Sequence, residues 1–252
     1  MAIKTILVSQ PKPEGKKSPY FDLAKKYNLQ IDFRPFIQVE GIKAQEFRRQ
    51  KIDLKNHTAV ILTSKTAVDH YFRISQEMRF EVPDSMKYFC ISEAVAYYLQ
   101  KYVAYRKRKI FFGKQTIIDL VDVLKKHRKN QFLLPCTDIL RDTIPLTLEA
   151  NEFSFTKAVI YRTVASDLSD LENVYYDMLV FYSPGGIESL LKNFPKFKQN
   201  RTIIAAFGPT TANAIIKNKL RLDLHAPQPN APSMTGAIEN YVKEMLKKQS
   251  NR

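Results

Sequence analysis

Five turns in this sequence share one pattern: a short apolar run, then hydroxyl or small residues, then a stretch of helical period. They are Thr63-Ser64-Lys65-Thr66, Ser92, Cys136-Thr137, Ser183-Pro184-Gly185-Gly186 and Gly208-Pro209-Thr210-Thr211. Where a strand gives way to a helix, the first helical N–H groups lack intrahelical partners and carry the positive end of the helix dipole. Hydroxyls and free amides at such places suit carboxylates or phosphates. Each turn alone reads first as an ordinary N-cap. Five of them, in a chain of net charge +15, point to a polyanion held at the carboxyl edges of strands. Tyr161, in Val-Ile-Tyr-Arg-Thr-Val, shares one face of an extended segment with Val159 and Thr163. Its phenol is either a donor aimed at the ligand or a packing group. Arg141 is expected about one and a half turns into a helix starting near Thr137. There it would take a carboxylate bidentately or pair with Asp138 or Asp142.

Other chemistries are excluded by what the chain lacks. The histidines (His57, His70, His127, His225) lie far apart, and with Cys90 and Cys136 they show no metal-ligand spacing. Seven glycines supply neither a dinucleotide fingerprint nor a P-loop, and no nucleophile elbow appears. An enzyme built this way is expected to work without a cofactor. The cysteines sit inside apolar runs and read as reduced, packed thiols of a cytoplasmic protein. No apolar run approaches the ~18 residues of a membrane span, and none at the N-terminus suits a signal peptide. No nucleic-acid recognition pattern accompanies the basic run Arg106-Lys107-Arg108-Lys109, which reads as a solvated loop before a strand. Neither nucleic acid nor membrane is expected as a partner.

The elements that must position these turns alternate between short apolar runs and helical stretches, which argues a parallel α/β sheet. Strands are expected at Thr5–Ser9, Ala59–Thr63, Tyr88–Ile91, Ile110–Phe112, Gln131–Leu134, Met178–Tyr182, Thr202–Phe207 and Leu222–His225. Helical stripes run through Ile117, Leu120, Val121 and Leu124, and through Ile187, Leu190, Leu191 and Phe194. Thr116 and Ser233 are expected N-caps.

Two long β-rich segments, Ile31–Glu40 and Lys157–Ala165, bracket everything between them. They predict an inserted α/β domain, 37–165, within an outer α/β domain of 1–36 and 166–252, joined by two antiparallel linker strands. The net charge is shared between the two, +8 in 37–165 and +7 in the remainder. The halves also resemble each other. AVILTSKTAVDHYF parallels MLVFYSPGGIESLL, FCISEAVAYYL parallels AAFGPTTANAI, and TIIDLVDVLKK parallels GAIENYVKEMLKK, all at an offset of about 118 residues. The expected fold is therefore two similar parallel-sheet lobes, with the polar turns facing an interlobe cleft.

At these residues the chain resembles the uroporphyrinogen-III synthase family. LTSKTAV stands for the family's TSxxAV turn and LLPCTDILRDTIPLTL for its PxGxxxRxxLxxxL stretch. AVIYRTV stands for its YxT linker, FYSPGGIESLL for FxSPSG, and AAFGPTTANAI for IGPTTAxAL. Lys65-Thr66 replaces a Pro-Arg found in some members, Val95 stands where a threonine can occur, and Gly185 replaces the serine of SPSG. The resemblance implies a cofactor-free, cyclising lyase of tetrapyrrole biosynthesis acting on hydroxymethylbilane, a linear polycarboxylate. Loss of the ring A hydroxyl as water would give an azafulvene. Attack by the substituted carbon of ring D would give a spiro intermediate, which reopens and recloses with ring D inverted. Tyr161 would protonate the departing hydroxyl. Thr63, Ser64, Lys65, Ser92, Arg141, Ser183, Gly185, Gly186, Thr210 and Thr211 would bind substrate. A monomer is implied, in transient contact with the enzyme that makes the bilane. The alternative is a non-catalytic paralogue that binds a polycarboxylate or other anion.

Overall fold

Strands that are apolar at nearly every position need cover on both faces, and the chain supplies it by alternating strand and helix. The computed structural model of the protein describes residues 3–15, 17–139 and 142–250, with backbone alone at 249–250. From the N-terminus come β1 (Thr5–Val8), α1 (Pro19–Tyr27), β2 (Gln30–Phe33), β3 (Ile37–Gly41) and α2 (Ala44–Arg48). Next are β4 (Ala59–Leu62), α3 (Lys65–Glu77), β5 (Lys87–Cys90), α4 (Glu93–Leu99), β6 (Ile110–Phe112) and α5 (Val121–Lys126). Then follow β7 (Phe132–Thr137), α6 (Thr143–Ala150), β8 (Phe155–Ala165), β9 (Met178–Phe181) and α7 (Pro184–Asn193). The chain closes with β10 (Ile203–Phe207), α8 (Pro209–Lys217), β11 (Leu224–Ala226) and α9 (Met234–Ser250). Contacts divide it into two compact units, Met1–Gln38 with Val164–Arg252, and Val39–Thr163.

The first unit is built on a five-stranded sheet of order β11-β10-β9-β1-β2, parallel at every pair. Ile6, Val8, Met178 and Val180 point to one face, where Tyr20 and Leu23 of α1 and Ile238 and Val242 of α9 cover them. Leu7, Leu179, Phe181 and Ile204 point to the other, against Ile187 and Leu190 of α7 and Ile215 of α8. The chain runs outward from β1 to β2, then returns to β1's other side as β9 and continues to β10 and β11. The strand order thus reverses between β1 and β9.

The second unit repeats this plan. Its six-stranded sheet has the order β3-β8-β7-β4-β5-β6 and reverses between β4 and β7. The pairs from β8 to β6 are parallel. Val60, Leu62, Tyr88 and Cys90 face α3 and α4. Ala59, Ile61, Phe89 and Phe132 face Leu124 of α5 and Leu148 of α6. The two strands that cross between units run antiparallel: Ser166 N donates to Phe36 O (2.9 Å) and Ile42 N to Ile160 O (3.0 Å). They are not a free-standing ribbon, because β8 pairs with β7 from Phe155 to Tyr161.

Three expectations need correction. The segment Ile31–Glu40 is two strands in different sheets, β2 and β3, because Pro35 has no N–H to continue a ladder. Arg34 N makes the last bond to Val8 O, and the Arg34 side chain turns away to Asp167 O and Asp170. No helix starts near Thr137: β7 runs on through it, since Pro135, Cys136 and Thr137 still pair with β8, and α6 begins at Thr143. Thr116 is not a cap: its N and Oγ1 donate, with Gln115 N, to the Asp119 carboxylate in the turn that follows. Ser233 does cap α9, accepting from Gly236 N at 3.1 Å.

The amino edge of the first sheet is pinned by one carboxylate. Asp177 Oδ2 accepts from Lys4 N (2.8 Å), Thr5 N (3.0 Å) and Thr5 Oγ1 (3.2 Å), which fixes the start of β1 against that of β9. Hydrogen bonds to a charged acceptor contribute about 1.5–3 kcal/mol. Asp177→Ala should therefore lower the urea midpoint by an equivalent of about 2 kcal/mol with an unchanged m value, as read from equilibrium unfolding.

Candidate functional site

In an open parallel sheet, ligands gather outside the carboxyl ends of the strands, where the strand order reverses. In the second unit that place lies beyond β4 and β7. Ser64 caps α3 there, its Oγ accepting from Ala67 N at 3.0 Å. Thr63 and Ser64 are half-buried and Lys65, the first residue of α3, is exposed. Across the sheet the register slips between Cys136 and Thr137, so that Cys136 faces Val159 and Thr137 faces Tyr161. Ile160 is the extra residue of this bulge, a device that re-aims the side chain beside it.

The side chain so aimed is Tyr161. Its ring stacks on His70 of α3, with centroids 5.2 Å apart and planes 23° from parallel. Burial pushes the phenol above the ordinary tyrosine value, opposed in part by the nearby Ser64 hydroxyl. At neutral pH the group is a protonated donor. His70 is oriented in turn by Arg73, whose Nε donates to His70 Nδ1 at 3.0 Å. That bond makes Nδ1 the acceptor and leaves the ring proton on Nε2. Arg73 also donates to Ile42 O and Ile160 O and pairs with Glu77. Gly41 makes room for the guanidinium: a Cβ there would lie 2.7 Å from Arg73 Nε and Cζ.

The first unit carries the matching turns. Ser183 caps α7, accepting from Gly186 N at 3.4 Å. Gly186 is buried, and a Cβ on it would lie 3.2 Å from the Phe181 ring. Gly185 is less confined, its nearest neighbour being Ile37 Cγ2 at 3.4 Å, so the serine of the SPSG pattern would fit. Gly208 precedes α8 at φ +84°, a left-handed conformation that favours glycine. Thr210 is exposed, whereas Thr211 is buried and its Oγ1 has no partner. The Thr211 side chain therefore offers no hydroxyl at the surface. Ser92 precedes α4 without capping it through its side chain. Arg141 lies outside the described residues.

Two participants escape sequence reasoning. Ser9 follows β1 at the first unit's reversal point, and a Cβ on Gly186 would lie 3.6 Å from its Oγ. It ends an apolar run like the other candidates, but the Gln-Pro-Lys-Pro after it gives no helical signal. His70 is invisible because only the fold brings α3 against β8. A cavity of about 650 Å3 opens at the amino ends of β9 and β10 beside Tyr176 and Phe194 and holds none of the candidate residues. Among the described residues no group of His, Cys, Asp or Glu is arranged to hold a metal ion. No described helix is long and apolar enough to cross a membrane.

The family model for uroporphyrinogen-III synthase HemD matches residues 19–236. The chain belongs to the uroporphyrinogen-III synthase family. A uroporphyrinogen-III synthase of Saccharomyces cerevisiae is 27% identical over 139 residues, which is 50% of this chain and 50% of that protein. The aligned part thus spans about half the length of that curated relative. A uroporphyrinogen-III synthetase of Helicobacter pylori 26695 has the same fold, with a TM-score of 0.57 and 17% identity over 96% of this chain and 100% of its own. Every strand-end turn described above except that at Ser9, and Tyr161, falls within the stretch that the family model matches.

Three histidines share one perturbation. Burial holds His57, His70 and His127 below the ordinary 6.5, with Arg73 adding to the effect at His70 and Lys87 at His127. Below that pH the unfolded chain binds more protons than the folded one, so stability falls with pH. Thermal unfolding should show a Tm that is steady above about pH 7 and drops as pH falls through 6 toward 5. His70→Gln should flatten part of that drop.

Proposed function

We propose that the protein is a uroporphyrinogen-III synthase: a cyclising lyase that converts hydroxymethylbilane to uroporphyrinogen III with inversion of ring D and loss of water. The observation that carries this reading is the half-buried Tyr161 phenol, re-aimed by the bulge at Ile160 and stacked on His70, at the reversal point of a family-matched sheet. A polycarboxylate substrate suits the remaining geometry. The starts of α3, α7 and α8 present unsatisfied N–H groups at carboxyl edges, and the chain carries +15 overall.

The chemistry asked of the protein is small. The electron-rich pyrrole of ring A expels its own hydroxyl once a donor meets the oxygen, and Tyr161 supplies that donor. Spontaneous closure gives the wrong isomer, so the larger task is conformational: holding the bilane curled, presenting the substituted carbon of ring D and excluding water. Many weak amide contacts to carboxylates do this without any single dominant side chain. No cofactor is assigned a role. A soluble, cytoplasmic monomer that meets the preceding enzyme only in passing completes the reading.

The decisive experiment supplies hydroxymethylbilane to the purified protein and separates the type I and type III products after oxidation. A predominance of type III is expected; a mixture identical to the enzyme-free control would leave an anion-binding paralogue. Tyr161→Phe keeps the stack on His70 and removes only the donor. A group that acts mainly in the transition state lowers kcat and kcat/KM together. The loss should be about 10–10² fold, smaller than for a dedicated acid because the pyrrole assists. Thermal stability should barely change. Full rate with an unchanged isomer ratio would make Tyr161 a packing residue.

A further inference from the structure

Lys65 stands where some members of the family carry a proline, and its ammonium has a defined neighbour. The ammonium lies over the ring of Tyr98, on α4, 5.4 Å from its centroid. Asp69, one turn further along α3, is the carboxylate that an i,i+4 pair would offer it. Asp69 is already engaged. Tyr98 Oη donates to both of its oxygens, at 3.0 and 2.9 Å, and Tyr102 Oη donates to Oδ1 at 2.6 Å. Lys101 adds an ion pair at 3.8 Å and lies over both tyrosine rings. Tyr102 is fixed from behind by a parallel stack on Phe72, with centroids 4.4 Å apart. No ion pair to Lys65 occurs among the described residues.

We infer that Tyr98 is a positioning residue: its ring, anchored by Asp69, parks the Lys65 ammonium at the start of α3 without neutralising it. A carboxylate in that place would also order the lysine, but would cancel the charge and compete with substrate. A ring attracts a cation through its quadrupole and leaves the charge and its donors available to an anion. Donation of the phenol to a carboxylate enriches the ring and strengthens the attraction. Pre-placing a flexible four-carbon side chain also reduces the entropy lost when the anion arrives. The ligand is a carboxylate of the substrate, so this inference rests on the synthase reading for its reaction but not for its geometry.

The geometry is tested without turnover. The ε-methylene protons of Lys65, assigned with Lys65→Gln, should show an upfield ring-current shift that Tyr98→Phe keeps and Tyr98→Leu abolishes. A shift absent from the wild type overturns the placement. The function is tested on binding of uroporphyrin III, a product-class polycarboxylate, and on KM for hydroxymethylbilane where the protein turns it over. Tyr98→Leu should weaken both about two- to five-fold and leave kcat within about two-fold. Tyr98→Phe should recover most of the loss. The double variant Lys65→Gln/Tyr98→Leu should be no weaker than Lys65→Gln alone. Additive losses, or an effect of Tyr98→Leu on Tm with none on binding, would overturn the positioning role. If type III product is not made while the ring-current and binding results hold, the synthase reading alone has failed.

Discussion

A parallel strand with neighbours on both sides and helices on both faces has nothing to offer a ligand except its ends. Both sheets of this protein are under that constraint: all four residues of β4 and of β9 are buried. Function is therefore confined to the residues just past each strand, where the backbone must also reverse and start a helix. The reversal of strand order then selects which ends have space beside them, after β1 and β9 in one unit and after β4 and β7 in the other. Serine stands after β1, β4 and β9 because a residue at that place must cap a helix or satisfy a turn, and the same hydroxyl can meet a ligand.

The crossing strands raise a second problem, since some of their carbonyls take a side-chain donor as well as the ladder, Ile160 O already accepting from Ile42 N. In the second unit Arg73 solves it by donating to Ile42 O and Ile160 O. In the first, Asn193 does comparable work near the end of α7, donating to Ser166 O and accepting from Leu168 N. Arg73 and Asn193 are separated by nearly the repeat offset of the two halves, so one structural task has been met twice with different chemistry. The choice has a consequence only in the second unit. A guanidinium has donors to spare, and one of them fixes the tautomer and plane of His70, on which Tyr161 is stacked. The backbone support and the orientation of Tyr161 thus share a single side chain.

What was legible in the sequence follows from which signals are local. Ala59–Leu62 and Met178–Phe181 are buried on both faces and so are apolar without interruption, and Ser64 and Ser183 announce the helices behind them. The break at Pro35 was less visible, because β2 and β3 are both β-rich and only their partners differ. The helix placed near Thr137 failed for the same reason: whether Pro-Cys-Thr extends a strand depends on β8, more than twenty residues away. The bulge at Ile160 and the stack of His70 on Tyr161 are likewise products of register and packing, which no spacing along the chain encodes. Thr211 looked like a ligand by its motif, yet at the third position of α8 its side chain turns inward.

The two units differ in what they present, and the difference explains where the family pattern can relax. The second unit offers side chains: a capping serine, a lysine and a phenol, each oriented by a neighbour. The first offers mainly backbone, through Gly185 and Gly186 at the start of α7 and Gly208 before α8. A binding group made of N–H donors depends on the path of the chain rather than on the side chains along it. Gly186 is held to its type by the Phe181 ring and Gly208 by its positive φ. Gly185 has neither restraint, with only an ordinary contact awaiting a Cβ, and there the sequence departs from the serine of the family motif. Where a side chain is the group presented, its support comes from elsewhere: Lys65 stands over a tyrosine ring whose own hydroxyl is anchored.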